Sequence, residues 1–150
     1  MMMAGDCDLE NALIDGEKFI DVILKPHRSY YNALIGLFNN PALKGMAHIT
    51  GGGIAGNLNR ILPKGLDAEI DLSLLRPLSI FKFIKKNTGA DDAELLKTFN
   101  MGAGMTIVVK RGTENDFIAR LKEKGYDSYV LGCIKGNGTQ KVNYINAIKY

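Results

Sequence analysis

Apolar positions along this chain fall in short runs, some spaced for a helix and some for a strand, and the two kinds alternate. Phe19 to Leu24 is apolar and rich in β-branched residues, which predicts a strand, and Pro26 forces a break behind it. Tyr31, Leu34, Ile35 and Phe38 follow at i, i+3, i+4 and i+7. That spacing predicts a helix with this stripe in the core, ended by Asn39-Asn40-Pro41. Met46 to Thr50 predicts a short strand running into Gly51-Gly52-Gly53. Ile54, Leu58, Ile61 and Leu62 then share one face of a helix that Pro63-Lys64-Gly65 stops.

The second half repeats the alternation. Asp67 to Leu72 predicts a strand, Leu78 to Lys86 a helix, and Asp91 to Thr98 another helix whose first turn carries the acidic residues that its dipole favours. Met105-Thr106-Ile107-Val108-Val109 has the continuous β-prone character of a strand buried on both faces. Glu114 to Lys124 predicts a helix with Phe117, Ile118 and Leu121 inward, and Gly125 stops it. Ser128 to Ile134 and Lys141 to Ile148 predict a hairpin around Gly136-Asn137-Gly138, where Asn-Gly supplies the positive φ angles of a tight turn. The expected class is α/β, a layered domain with a mixed sheet covered by helices. Residues 1–18, opening Met1-Met2-Met3, are expected to be a poorly ordered or appended start, and 19–150 the folded domain.

Composition narrows the function classes. A chain of 150 residues, 46% hydrophobic and 23% charged, has the make-up of one globular domain. Its net charge of +3 is too mild for a nucleic-acid footprint, and the basic spots at Lys82, Lys85, Lys86, Lys110 and Arg111 lack interleaved aromatics. With Cys7 and Cys133 alone, neither a disulfide framework nor a cysteine zinc site can be built, which fits a reducing cytoplasm. No apolar run is long enough to span a membrane, and the start lacks the order of a signal peptide.

Candidate chemistry centres on the glycines. Gly51, Gly53 and Gly56 satisfy G-x-G-x-x-G between a predicted strand and a predicted helix, with Asp71 near the distance of a ribose contact. Missing side chains let backbone N–H groups approach an anion, whatever phosphate compound carries it. A dinucleotide site is therefore one reading. Against it stands the polar preceding strand, with His48 and Thr50. A P-loop fits less well still, because Asn57-Leu58 occupies the place of Lys-Ser or Lys-Thr. A glycine turn needed only for tight packing is the remaining reading.

Longer matches go further. Gly45-Met46-Ala47-His48-Ile49-Thr50-Gly51-Gly52-Gly53 and Thr98-Phe99-Asn100-Met101-Gly102-Ala103-Gly104-Met105 resemble the H-I-T-G-G-G and F-N-M-G-x-G-M blocks of the phosphoribosylformylglycinamidine cyclo-ligases, the AIR synthetases of purine biosynthesis. Asn57, Arg60, Leu62 and Pro63 are similar to the family's N-x-x-R-x-L-P stretch. Leu24-Lys25-Pro26-His27-Arg28-Ser29-Tyr30 is similar to L-x-P-T-R-x-Y, with His27 where threonine is usual. The resemblance covers residues 20–148 and is to the carboxy-terminal half of these enzymes.

That resemblance implies ATP-dependent closure of formylglycinamidine ribonucleotide to aminoimidazole ribonucleotide. ATP and Mg2+ would be bound mainly by an amino-terminal domain that this chain is expected to lack, and the full enzyme would be a homodimer. Gly51, Gly52 and Gly53 would hold the substrate's phosphate through backbone N–H groups, with Thr50 adding a hydroxyl. His48 would donate a hydrogen bond or move a proton, as the tentative catalytic residue. Asn100, Gly102 and Gly104 would contact substrate or shape the wall of the site, and Arg28 would add a weaker phosphate contact. The alternative of a different class is a non-catalytic phosphate-binding or assembly module. An exposed apolar patch would favour the incomplete enzyme, and a fully polar surface the module.

Overall fold

A computed structural model describes residues 8–150. The frayed start expected at Met1–Asp6 lies outside them. The expected boundary at residue 19 falls inside ordered structure, because Leu13–Ile14 (β1) and Glu17–Lys18 (β2) pair antiparallel around Asp15 and Gly16. Both turn residues have positive φ, 52° and 85°, as a two-residue hairpin requires. The strand predicted over Phe19 to Leu24 is instead a short helix, Phe19–Ile23 (α1), which buries no residue fully. Local β-propensity yields to tertiary context here.

The helix predicted after Pro26 is also shorter than expected. Tyr31–Leu34 (α2) tightens at once into a 3-10 turn over Ile35–Leu37. Three residues per turn, in place of 3.6, rotates the apolar face. Ala33, Leu34 and Leu37 are buried, whereas Tyr31 is 59% exposed, Ile35 51% and Phe38 45%. Of the predicted core stripe only Leu34 lies inside. The other three make an outward apolar surface, with the Tyr31 and Phe38 rings 6.3 Å apart.

Strand Leu43–His48 (β3) leads through the glycines into helix Gly53–Leu58 (α3), which continues as a 3-10 turn to Ile61. Leu66–Asp71 (β4), Ser79–Thr88 (α4), Asp92–Thr98 (α5), Met105–Val109 (β5) and Glu114–Glu123 (α6) follow where the sequence predicts them. Asp91 caps α5 through a reciprocal box with Glu94, which satisfies two backbone donors. β5 pairs antiparallel with β3 alone, and every residue of it is half-buried, less enclosed than its composition predicts.

Gly132–Gly136 (β6) and Val142–Ile145 (β7) do not form the expected hairpin. They lie on opposite sides of β4, β6 antiparallel and β7 parallel to it, so this three-stranded sheet is mixed. Asp67 on β4 holds them apart. Its carboxylate accepts hydrogen bonds from the Thr139 amide (2.7 Å), the Lys141 amide (2.8 Å) and Asn143 Nδ2 (3.3 Å). Gly138 packs so closely that a β-carbon there would lie 2.4 Å from the Asp67 carboxyl carbon. The loop is wrapped around Asp67 and never closes as a two-residue turn.

Ile49, Ile54, Leu95 and Met101 are essentially inaccessible at the centre of the main core. Each contributes on the order of 2 kcal/mol by burial. A second cluster joins Ala33, Leu34 and Leu37 to Phe117 and Leu121 of α6.

The fold predicts an acid-sensitive stability. The Lys141 amide, joined by those of Thr139 and Asn143, holds the Asp67 carboxyl below its ordinary 3.8. The Ser73 hydroxyl, with Asn146 and the Ser73 amide, does the same for Asp71. Because both folded-state values are depressed, the stability they contribute is complete above the unfolded value of about 4 and is lost as pH falls through the folded ones. Melting followed from neutral pH to about pH 2 should show Tm dropping below about pH 4. Asp67→Asn should lower Tm at neutral pH and flatten that acid limb; an unchanged limb would exclude Asp67 as a cause.

Candidate functional site

Antiparallel pairing of β3 with β5 brings the two glycine-bearing blocks together. His48, the last residue of β3, lies opposite Met105, the first of β5, and the Ile49 amide donates to the Gly104 carbonyl (2.9 Å). The stretches after His48 and before Met105 therefore emerge at the same end of the sheet. Gly53 closes the contact from the other side. At φ 62° a β-carbon on it would lie 1.8 Å from the Leu96 carbonyl oxygen and 3.1 Å from that of Phe99, so α3 starts directly against the end of α5.

The glycine loop is organised by a residue that sequence reasoning did not assign to the site. Asn57, buried within α3, turns its Nδ2 back onto the carbonyls of Gly53 (2.8 Å), Gly51 (3.2 Å) and Thr50 (3.4 Å). In a trans peptide the N–H points opposite to the C=O of the preceding residue. Drawing the Thr50 and Gly51 carbonyls inward therefore turns the Gly51 and Gly52 amides outward. Neither has a hydrogen-bond partner among the described residues. The Gly53 amide is spent internally on the Thr50 carbonyl (3.1 Å), and that of Ala55 on the Tyr144 hydroxyl (3.1 Å). Two amides, and not three, face solvent. Gly52 adopts φ 94°, and Gly51 and Thr50 are exposed beside it. Helix α3 is only six residues long, so its dipole is small and the outward amides are the main attraction for an anion.

The remaining candidates divide. Asn100 accepts from the Gly102 amide (3.0 Å) and so braces its own turn, leaving its side-chain N–H groups available. Gly102, at φ 96°, fits against the 76–78 segment, where a β-carbon would lie 2.6 Å from the Arg76 carbonyl oxygen. Its role is close packing. Gly104 makes room for Tyr30, since a β-carbon there would lie 2.0 Å from the Tyr30 hydroxyl. Tyr30 in turn stands beside His48, ring centroids 5.9 Å apart, and burial pushes its phenol up, keeping it a neutral hydroxyl. Arg28 is directed elsewhere: its guanidinium lies 4.1 Å over the Tyr126 ring and donates to the Gly125 carbonyl at the end of α6.

His27, the departure from the family's threonine, takes part in the site. It stands against His48, Nε2 to Nε2 at 3.3 Å. Asp71, the acid at ribose distance in the dinucleotide reading, is occupied by Ser73 and Asn146, and among the described residues β3 has no parallel neighbour. The two-stranded antiparallel setting of the loop is not a dinucleotide-binding sheet.

Residues 3–145 match the family described as AIR synthase related protein, C-terminal domain, and the chain belongs to that family. Among its relatives is the phosphoribosylformylglycinamidine cyclo-ligase of Thermodesulfovibrio yellowstonii, 42% identical over 120 residues, which are 80% of this chain and 35% of the relative. The cyclo-ligase of Bifidobacterium longum is 39% identical over 137 residues, 90% of this chain and 40% of the relative. That of Staphylococcus carnosus is 33% identical over 134 residues, 89% and 39%. The chain thus spans little more than a third of the length of the relatives it matches. Among the described residues no helix is long and apolar enough to cross a membrane.

Proposed function

We propose that this chain is the substrate-holding half of a phosphoribosylformylglycinamidine cyclo-ligase, with the Gly51 and Gly52 amides receiving the phosphate of formylglycinamidine ribonucleotide. The observation that carries this reading is the outward pair of amides, fixed by Asn57, inside a chain whose relatives bear that enzyme's name. Thr50 stands at the same opening and supplies a hydroxyl. His48 and the free amide group of Asn100 supply polar contacts to the rest of the ligand. In the reaction so assigned, ATP phosphorylates the formamide oxygen, an amidine nitrogen attacks that carbon, and phosphate leaves. This half would bind and orient the ribonucleotide, so that two reacting groups are held at short range. ATP and Mg2+ would be brought mainly by an amino-terminal domain, and the complete enzyme would act as a homodimer in the cytoplasm.

The exposed Tyr31, Ile35 and Phe38 surface favours this reading over a free-standing phosphate-binding module, since apolar side chains in contact on an exterior mark a face that another unit covers. Calorimetric titration with formylglycinamidine ribonucleotide and, separately, with magnesium-ATP tests the assignment. Binding of the ribonucleotide with little binding of ATP is expected. Tight ATP binding without ribonucleotide binding would overturn it. The 150-residue chain alone should also show no cyclisation of the ribonucleotide with ATP present, and robust turnover by the pure chain would refute the division of labour.

A further inference from the structure

His27 and His48 come from separate parts of the chain, a loop and a strand end, and their Nε2 atoms converge to 3.3 Å with the rings at 80°. Such a distance admits at most one proton between the two nitrogens, because two facing N–H groups would repel. At least one lone pair therefore points into the gap, and both rings are exposed at its mouth. Two nitrogens bound to a tetrahedral zinc ion at about 2.0–2.1 Å lie roughly 3.3–3.4 Å apart. The two rings already stand at that bite.

Their backbones are held in this relation. At the end of β3 the exposed His48 stands between buried Ala47 and buried Ile49, the residue just past the strand, so the direction of His48 follows from the pleat. The chain directly after His27 is tied to the turn that follows α6, by Arg28 on the Gly125 carbonyl and over the Tyr126 ring, and by the Tyr126 hydroxyl donating to the Ser29 carbonyl. Tyr30 packs edge-on against each imidazole, with centroids 5.8 Å from His27 and 5.9 Å from His48. No third His, Cys, Asp or Glu joins the pair among the described residues. A bound ion would therefore keep two positions for water or for an oxygen of a ligand, the open arrangement of a reactive site and not the closed one of a structural site.

We propose that His27 and His48 form a two-imidazole site for a divalent zinc-class ion at the edge of the glycine loop. This is independent of the ribonucleotide reading, since it needs only the two rings. The test is titration of the 150-residue chain with zinc chloride, without nucleotide, by calorimetry and by nitrogen-15 NMR of the imidazoles. One ion per chain is expected, with the Nε2 signals of both histidines shifting together. His27→Ala and His48→Ala should each weaken binding by about tenfold or more, because a single imidazole forms no chelate. Cys7→Ser and Cys133→Ser should leave the affinity unchanged, and both histidine variants should keep the wild-type Tm. Absence of one-to-one binding, or binding that survives His27→Ala or depends on the cysteines, would overturn the site.

Discussion

Gly53→Ala should unfold the region around the glycine loop, the largest loss of stability expected from any single methyl group added to this loop. Two costs coincide. At φ 62° an L side chain is strained by on the order of 1–2 kcal/mol. Its β-carbon would also sit 1.8 Å from the Leu96 carbonyl oxygen and 2.9 Å from the carbonyl carbon. Those atoms are backbone at the end of α5, so nothing flexible can yield. α3 must move off α5, and with it Ile54 and Leu58, which stand opposite Leu95 and Leu96 in the same core cluster. Overpacking of this kind adds roughly 1–3 kcal/mol. The sum, about 2–5 kcal/mol, is a large part of the stability of an ordinary domain, and should lower Tm by on the order of 10 °C or leave the protein insoluble. Gly56→Ala is the control. It lies three residues on in the same helix, where a β-carbon meets nothing within 4 Å, and should raise stability by up to about 1 kcal/mol. Equal melting of the two variants would show that the tight joint between α3 and α5 is not required.

How far the sequence anticipates this structure depends on whether the deciding contact is local. β3, α3, β4, α4, α5, β5 and α6 arise where apolar spacing and caps predict them, because each is set by its own residues and their burial on one face. The final strands are not of that kind. An Asn-Gly step between two β-prone runs predicts a hairpin, and only the grip of Asp67 on residues 139–143, about 70 positions away in sequence, opens the runs to admit β4. The Tyr31 stripe fails for a related reason. Periodicity reports an amphipathic face but not which side meets the core, and one 3-10 turn is enough to change the answer.

The candidate site divides in the same way. Gly51 and Gly52 are legible, since a strand followed by three glycines offers exposed amides. That Gly53 spends its amide internally is not legible, because it depends on a turn closed on Thr50. Asn57 carried one usable signal: a polar residue one position before Leu58, on a helix turn otherwise facing the core, needs buried partners of its own. His27 and Arg28 lie side by side in the stretch similar to L-x-P-T-R-x-Y, which says nothing of what their side chains meet. Their partners, Tyr126 and His48, are set by the tertiary fold.

A carboxylate at position 51 should weaken ribonucleotide binding severely without disturbing the fold. Gly51 is exposed, its φ lies outside the left-handed region, and a β-carbon built on it meets nothing within 4 Å, so Gly51→Asp can be accommodated where the same change at Gly52, φ 94°, would also strain the loop. The new charge stands at the opening where two outward amides would otherwise meet a phosphate. Two like unit charges at about 4 Å interact with about 4 kcal/mol at the effective dielectric of a protein surface, and solvent exposure reduces that by about half. Kd for formylglycinamidine ribonucleotide should then rise by roughly 30-fold or more. Gly51→Ala, which adds bulk without charge, should change Kd by no more than about threefold, a difference under 1 kcal/mol. Both variants should melt with the wild type. Loss of binding in Gly51→Asp alone would locate the anion at the two amides by its charge. Equal binding by all three proteins would remove the phosphate from this loop, and leave Asn57, Gly51 and Gly52 as a device for joining a strand to a helix.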